Sequence, residues 1–371
     1  MTRGAFQIAE EDFGHDWLRA PFPAFGGKFR VADLVWSRIG DVDNWIEPFC
    51  FSASATLLRP ASHVPRMETI NDACAFVSNF WRATARDPDA VAEWCNWPVN
   101  EADLEARHKW LVTAARKREH AERMRDDPEY FDAKIAGWWC WGLAQWIGGA
   151  WCAGEWNGRG NPESRGTGTH AGDCAKRPHL GGAGKGVHRQ RPHLGDAGQG
   201  EEARRGDVIR KWFQSLRDRL RNVRVACGDW RRVCDSDATT LSHSLTCGVF
   251  LDPPYSKTTV EGRRNRDGNI YVNDRDQDVC ALVRDVREWC AKWGAVPGMR
   301  IALCGYEGEG HEVLEKRGWT CFAWKTSGGY ANQSDDPDAQ GKINARRERI
   351  WFSPQCIDTG SHRTLFEEAE V

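Results

Sequence analysis

Apolar residues along the chain fall into short runs that stop at an acid or a proline, and most of these runs are followed by a stretch with helical spacing. "NWIEPF" ends its run at Glu47-Pro48, and the small residues and helix of "SATLL" come next. "METIND" ends near Asn71-Asp72, ahead of the helical "ACAFVSNFWRAT". Further along stand "NVRVACGD", "CGVFLDPPY" and "MRIALCGY", with the helix "VCALVRDVREWCAKWG" between the last two. Units of strand, acid and helix in succession predict a parallel sheet with helical crossovers. "VADLVWSRI" predicts a helix ahead of the first strand, and "HEVLEKRGW" one after "MRIALCGY". "TCFAW" and "RERIWFSP" read as a terminal β-hairpin that closes the sheet.

Between about Asp87 and Trp151 the spacing is helical and charged, with no convincing strand. From Ala153 to Gly200 the composition shifts to Gly, Arg and His, and "RPHLGGAGKGVHRQ" at 177 is followed by "RPHLGDAGQG" at 191. Two copies are too few for a solenoid and carry almost nothing to bury, so the segment reads as a loop-like insertion. The pattern therefore divides the chain into a sheet core, residues 1–86 and 205–371, and an inserted helical and Gly-Arg-His-rich region, residues 87–204.

Composition sharpens this picture only locally. The net charge of −2 over 371 residues neither demands nor excludes a polyanionic partner. A cluster of arginines from Arg204 to Arg232 reads as a solvated helix face, with a nucleic-acid footprint as the competing reading. The 14 cysteines follow no framework spacing and "MTRGAFQIAEEDFG" has no apolar signal core, which predicts a reduced, cytoplasmic protein. "GWWCWGLAQWIGGAWC", from Gly137 to Cys152, is too short for a membrane span and reads as a buried aromatic helix. Cys140, Cys152, His170 and Cys174 follow no zinc-module spacing, so no metal is expected.

The chemistry lies in the residues at the strand ends. Glu47, Asp72 and Asp229 sit at the tips of predicted strands, and Asp252 opens "DPPY" directly behind another. Proline cannot continue a ladder, so the fourth strand must end there and present Asp252, Pro253, Pro254 and Tyr255 at the edge where α/β sheets bind ligands. Carboxylates at successive tips suit the hydroxyls and amine of a nucleotide-like cofactor. Each one alone is more often a helix cap.

In chain order, "FGGK" (25–28), "EPF" (47–49), "IND" (70–72), "CGDW" (227–230) and "DPPY" (252–255) resemble the Dam-like, D12 class of adenine-specific DNA methyltransferases. "VADLVW", "NFWRAT", "WPVNEADL", "AKIAGWWCWGL", "RPHLG" and "RERIWFSP" are similar to its phage and prophage branch. The resemblance runs from about Phe22 to Cys356. It implies a Rossmann-like class I methyltransferase core with an inserted helical and Gly-rich target-recognition region, and a site-specific or relaxed-specificity enzyme that methylates adenine N6 in DNA from S-adenosylmethionine. By the same resemblance Gly26, Gly27 and Lys28 would hold the carboxylate end of the cofactor and Phe49 would pack beneath it. Asp72 would take the ribose hydroxyls, and Asp229 with Trp230 the adenine. Asp252 and the carbonyl of Pro253 would accept the hydrogens of the target amine, with Tyr255 stacked on a base flipped from the duplex.

The insertion supplies Arg177, His179, Arg189, Arg191 and His193 as candidate DNA contacts, and the polar stretch after DPPY supplies Arg263 and Arg264. A disordered linker with no role and a plain exposed loop are the respective alternatives for these two segments. DNA is the expected partner, with no membrane and no obligatory protein partner, and phage or prophage DNA protection or restriction-modification is the setting the resemblance suggests. Two departures stand out: Phe51 replaces a glycine usual two residues after EPF, and Ala24 an aromatic before GGK. Where φ is positive, or a ligand touches the backbone, phenylalanine is a poor substitute for glycine. The rival functions are therefore a cytosine-N4 DNA methyltransferase and a DNA-binding homologue with impaired catalysis.

Overall fold

The computed structural model describes residues 18–22, 24, 28–97, 101–145, 151–152, 202–235, 245–262, 278–324 and 340–358. A 3₁₀ turn at Lys28–Val31 leads into α1 (Ala32–Ile39), followed by β1 (Asn44–Glu47), α2 (Ser54–Leu57), β2 (Met67–Asp72) and α3 (Ala75–Arg86). A helical stretch comes next: α4 (Pro88–Cys95), α5 (Glu101–Leu111), α6 (Ala114–Asp126), α7 (Ala133–Gln145) and α8 (Glu202–Leu220). The strand pattern resumes with β3 (Val223–Cys227), α9 (Arg231–Cys234), β4 (Cys247–Leu251), α10 (Val279–Trp293) and β5 (Met299–Tyr306). β6 (Thr320–Ala323), α11 (Gln340–Arg347) and β7 (Glu348–Phe352) close the described chain.

The fold is α/β, with a seven-stranded mixed sheet in the order β3-β2-β1-β4-β5-β7-β6. β1 pairs in parallel with β2 and β4, and β4 with β5. β7 runs antiparallel to both β5 and β6. The two expected final strands do pair antiparallel, but the connection between them carries α11 rather than a hairpin turn, and β7 is lodged inside the sheet next to β5. β4, "CGVFL", is buried along its whole length, as a central strand covered on both faces must be. "HEVLEKR" is a 3₁₀ helix rather than an α-helix: its seven residues, His311–Arg317, lie between Gly310 and Gly318, both at positive φ, which leaves a short piece suited to the tighter turn.

The chain groups into two compact units, with boundaries between residues 71 and 72 and between 228 and 229. One unit holds α3 to α8 and β3. Its core is aromatic: Phe80 packs edge-on to Trp81, at 4.9 Å between ring centroids, and to Phe213 at 6.0 Å. Trp139, Trp141 and Trp151 are also buried, in keeping with the reading of the tryptophan-rich window. Among the α8 arginines whose side chains are described, Arg210 and Arg217 are exposed, Arg210 pairing with Asp207, whereas Arg219 is buried. No helix among the described residues is long and apolar enough to cross a membrane, and the described cysteines are free thiols.

The other unit holds α1, β1, α2, most of β2 and the described chain from α9 onward. Trp36 of α1 lies against Trp45 of β1 at 4.1 Å, and Trp45 stacks on Phe250 of β4 at 6.5 Å. The indoles are also anchored by polar contacts, Trp36 Nε1 donating to Ala55 O (2.8 Å) and Trp45 Nε1 to the Thr56 hydroxyl (2.9 Å). Gly248 makes this packing possible: a Cβ there would lie 2.7 Å from Ile39 Cγ2 and 3.2 Å from Trp45 Cε3. Gly248→Ala is expected to cost about 1–3 kcal/mol by overpacking. A urea unfolding curve with an unchanged midpoint would contradict this account of the α1–β4 contact.

Candidate active site at the carboxyl ends of the strands

The strand order changes direction at β1, which has β2 on one side and β4 on the other. In an open parallel sheet such a reversal separates the loops that leave the two strands and opens a crevice beyond their carboxyl ends. Here the flanking tips are Glu47-Pro48-Phe49 after β1 and Asp252-Pro253-Pro254-Tyr255 after β4. Pro253 and Tyr255 are buried, and Asp252 and Pro254 are partly exposed.

Lys28 reaches this position from the turn ahead of α1. Its side chain is 4% exposed and its Nζ lies 3.0 Å from Asp252 Oδ1, whose side chain remains 24% exposed. The ammonium also sits 5.1 Å from the centroid of the Tyr255 ring and 5.5 Å from that of Trp324. Burial pulls the Lys28 pKa down, but the carboxylates of Asp252 and Glu348 more than reverse this and hold it above the usual lysine range. Tyr255 donates its hydroxyl to Glu348 Oε2 at 2.9 Å, and its ring meets Tyr306 edge-on at 4.5 Å. Burial, with Glu348 and Asp252 nearby, pushes the Tyr255 phenol well above its ordinary pKa.

Each acid predicted at a strand tip also has a structural duty. Glu47, 2% exposed, accepts from the Thr56 amide (2.9 Å) and from the Thr56 hydroxyl, tying α2 to the end of β1. Burial raises it to about 7 against those two hydrogen bonds. Asp72, in the helical unit, accepts from the Cys74 amide at 2.8 Å where the chain enters α3. Asp229 accepts from the Arg231 amide at 2.8 Å and pairs with the Arg231 guanidinium at 3.2 Å; that guanidinium also reaches Asp285 at 2.6 Å. Neither acid is the helix cap itself, since the N-cap positions of α3 and α9 are Cys74 and Trp230; Asp72 and Asp229 instead accept from the amide two residues on and tighten the turns that lead into those helices.

Phe49 and Trp230 are brought together, with ring centroids 6.0 Å apart. Trp230 is packed edge-on against Trp289 of α10, and its buried Nε1 has no hydrogen-bond partner among the described residues. The buried Nε1 of Trp324 beside Lys28 is likewise unpartnered. Unpaired buried donors call for an acceptor, and a nucleoside with a carboxylate tail supplies several. Within this unit, the Phe49–Trp230 pair, Glu47, Asp229 and the two indole donors are of the chemical kinds that S-adenosylmethionine would need.

Phe51 and Ala53, in the turn between β1 and α2, take φ values of +31° and +49°. The left-handed turn for which the resembling family uses glycine therefore forms here with side chains, at a cost of about 1–2 kcal/mol per residue. The turn is held from outside by the Cys50 amide on Asn71 O (2.9 Å) and the Asn71 side-chain amide on Pro48 O (3.0 Å). Ala24 is half-buried.

Gly26 and Gly27 lie outside the described residues, as do Arg177, His179, Arg189, Arg191, His193, Arg263 and Arg264. His170 and Cys174 also lie outside them, while Cys140 and Cys152 are buried. No cluster of three or more metal-ligating side chains occurs among the described residues. Glu348, Glu309 and Trp324 were not among the expected site residues. The signal for Glu348 was its place at the head of the apolar run "RIWF", where a solvated acid would not be expected to pair inward.

Three buried acids of this unit carry raised pKa values, chiefly from desolvation: Glu47 and Glu348 at about 7 and Glu309 at about 8. An acid whose folded pKa lies above its unfolded value stabilises the fold fully below the unfolded value, near 4.5, and that stabilisation is lost as pH rises through the folded value. Thermal stability is expected to fall by several degrees between pH 5 and pH 8, and the fall should shrink in Glu47→Gln. Melting curves that are flat or rising across that window would contradict the burial of these groups. No family model matches the chain, and no curated protein matches it.

Proposed function

We propose that the protein is an S-adenosylmethionine-dependent DNA methyltransferase acting on adenine N6. The observation that carries this reading is the placement of the Asp252–Tyr255 segment at the tip of β4, across the reversal of strand order from Phe49, with Lys28 buried against Asp252. The motif resemblance agrees with it. S-adenosylmethionine, when bound, supplies an electrophilic methyl group on a sulfonium, so transfer needs no metal to activate the donor. Within the unit that carries Asp252, Phe49, Trp230, Glu47 and Asp229 are the residues that would hold it; Asp72 has that role only by the motif resemblance.

The task left to this chain is to receive a poor nucleophile. The lone pair of adenine N6 is delocalised into the ring, and nitrogen gains positive charge as it becomes tetrahedral. A carboxylate oxygen of Asp252 and the carbonyl of Pro253 would accept its two hydrogens and direct the lone pair toward the methyl group. Consecutive prolines restrict φ and keep those acceptors in place. The cofactor would supply the methyl carbon and keep the electron pair of the cleaved S–C bond on its sulfur, and the proton lost from N6 would pass to solvent water. Tyr255 would present its aromatic ring to the base, and Lys28, 3.0 Å from Asp252 Oδ1, fixes where that carboxylate sits. Cytosine N4, an exocyclic amine of similar geometry, would meet the same acceptors.

Asp252→Ala should lower methyl transfer by about 10²-fold or more and leave DNA affinity within a few fold. Mass spectrometry of nucleosides from unmethylated DNA, after incubation with protein and S-adenosylmethionine, checks this. N6-methyladenine made by the wild type and lost in the variant is the expected outcome; N4-methylcytosine would change the base, and transfer retained in the variant would sink the mechanism.

A further inference from the structure

Lys28 is one cation buried among more than one acid. Asp252 contacts it directly, while Glu348, from the start of β7, contributes to its charge balance and holds the Tyr255 hydroxyl at 2.9 Å. Glu348 is 3% exposed. Its backbone is fixed by pairing with Tyr306 of β5 on one side and by the Trp324 amide donating to its carbonyl (3.2 Å) on the other. The Tyr255 ring is therefore held at its hydroxyl by Glu348, at its edge by Tyr306 and on the Lys28 side by the ammonium. The next residue, Ser256, donates its amide to Glu309, which also accepts the Tyr306 amide at 2.8 Å.

We propose that Glu348 is a positioning residue for methyl transfer, acting through Tyr255 and Lys28 rather than by touching the substrate. The proposal rests on the methyltransferase reading. Its physical basis is competition for a single ammonium. If Asp252 were the sole partner of Lys28, its carboxylate would be drawn to the ammonium and away from an incoming amine. An ionised Glu348 shares that charge and leaves Asp252 a better acceptor, while its hydrogen bond fixes the plane against which the base would stack.

The groups that face Glu348 are Lys28 from the turn before α1, Asp252 and Tyr255 beyond β4, Cys304 and Tyr306 of β5, Glu309 in the following loop, and Arg349 beside it on β7. Burial raises Glu348 to about 7 and Asp252 adds to the rise, while Lys28, the Tyr255 hydroxyl and Arg349 oppose it. Its ionisation therefore falls in the range where the protein would work, and kcat should climb with pH between about 6 and 8.

The experiment compares wild type, Glu348→Gln and Tyr255→Phe for kcat, for KM and for S-adenosylmethionine affinity by calorimetry, with kcat taken across pH 6 to 8. Glutamine keeps an acceptor for the tyrosine and removes only the charge, which spares the fold. The expected result is a kcat at least about tenfold lower in Glu348→Gln, without the rise near pH 7, and cofactor affinity within about threefold of wild type. A lower kcat with the wild-type pH profile would indicate a merely structural role and overturn the proposal. Wild-type kcat and profile in Glu348→Gln would overturn it while leaving the methyltransferase reading intact. A wild-type protein that binds no S-adenosylmethionine and makes no methylated base would overturn both.

Discussion

A lysine ammonium buried beside a carboxylate constrains everything around it. Taking one charge out of water costs several kcal/mol even after relaxation, and a nearby anion offsets that cost only when geometry and hydrogen bonds are good. Lys28 meets the requirement by bringing the turn ahead of α1 against the tip of β4 and within the electrostatic reach of the head of β7, both more than two hundred residues further along the chain. Asp252 is the acid in direct contact with the ammonium, while Glu348 acts on it at longer range and is held in place by the backbone pairing of β7 with β5. The ion pair is in this sense both a structural tie and the electrostatic setting for Asp252.

The arrangement explains why the reversed strand matters. β7 enters the sheet between β5 and β6, and its first residue, Glu348, comes to lie against Tyr255. Had the final strand simply paired at the outer edge, no acid would reach the tyrosine hydroxyl. The buried glutamates at positions 47, 309 and 348 share one pattern: each spends its carboxylate on tying a loop or side chain to a strand end, and each has its proton held more tightly by burial. Preorganisation of this kind is bought with some stability.

The turn after β1 shows the same trade on the backbone. Phe51 and Ala53 adopt left-handed conformations that side chains disfavour, and hydrogen bonds to Asn71 hold them there. A substitution that looked incompatible with the turn in the sequence is compatible with its backbone path. The effect of Phe51 is then a matter of the volume its ring occupies near the crevice rather than of whether the turn can form.

Much of the architecture could be read from period and punctuation. Runs of apolar residues ending in Glu47, Asp72 and Asp229 marked β1, β2 and β3, and prolines after Asp252 marked the end of β4, because a residue without an N–H cannot extend a ladder. These signals are local, carried by neighbouring residues. The strand order, the lodging of β7 beside β5 and the pairing of Lys28 with Asp252 were not legible, because they arise between residues far apart in sequence and depend on which distant surfaces pack best. Lys28 was expected at the tail of a cofactor from its motif alone; its partner was decided by desolvation, which forces a buried ammonium onto the nearest carboxylates. Glu348 carried no motif, and only the folded sheet gave it Tyr255 as a neighbour. Local chemistry determined where strands stop, and tertiary burial decided which charges had to meet.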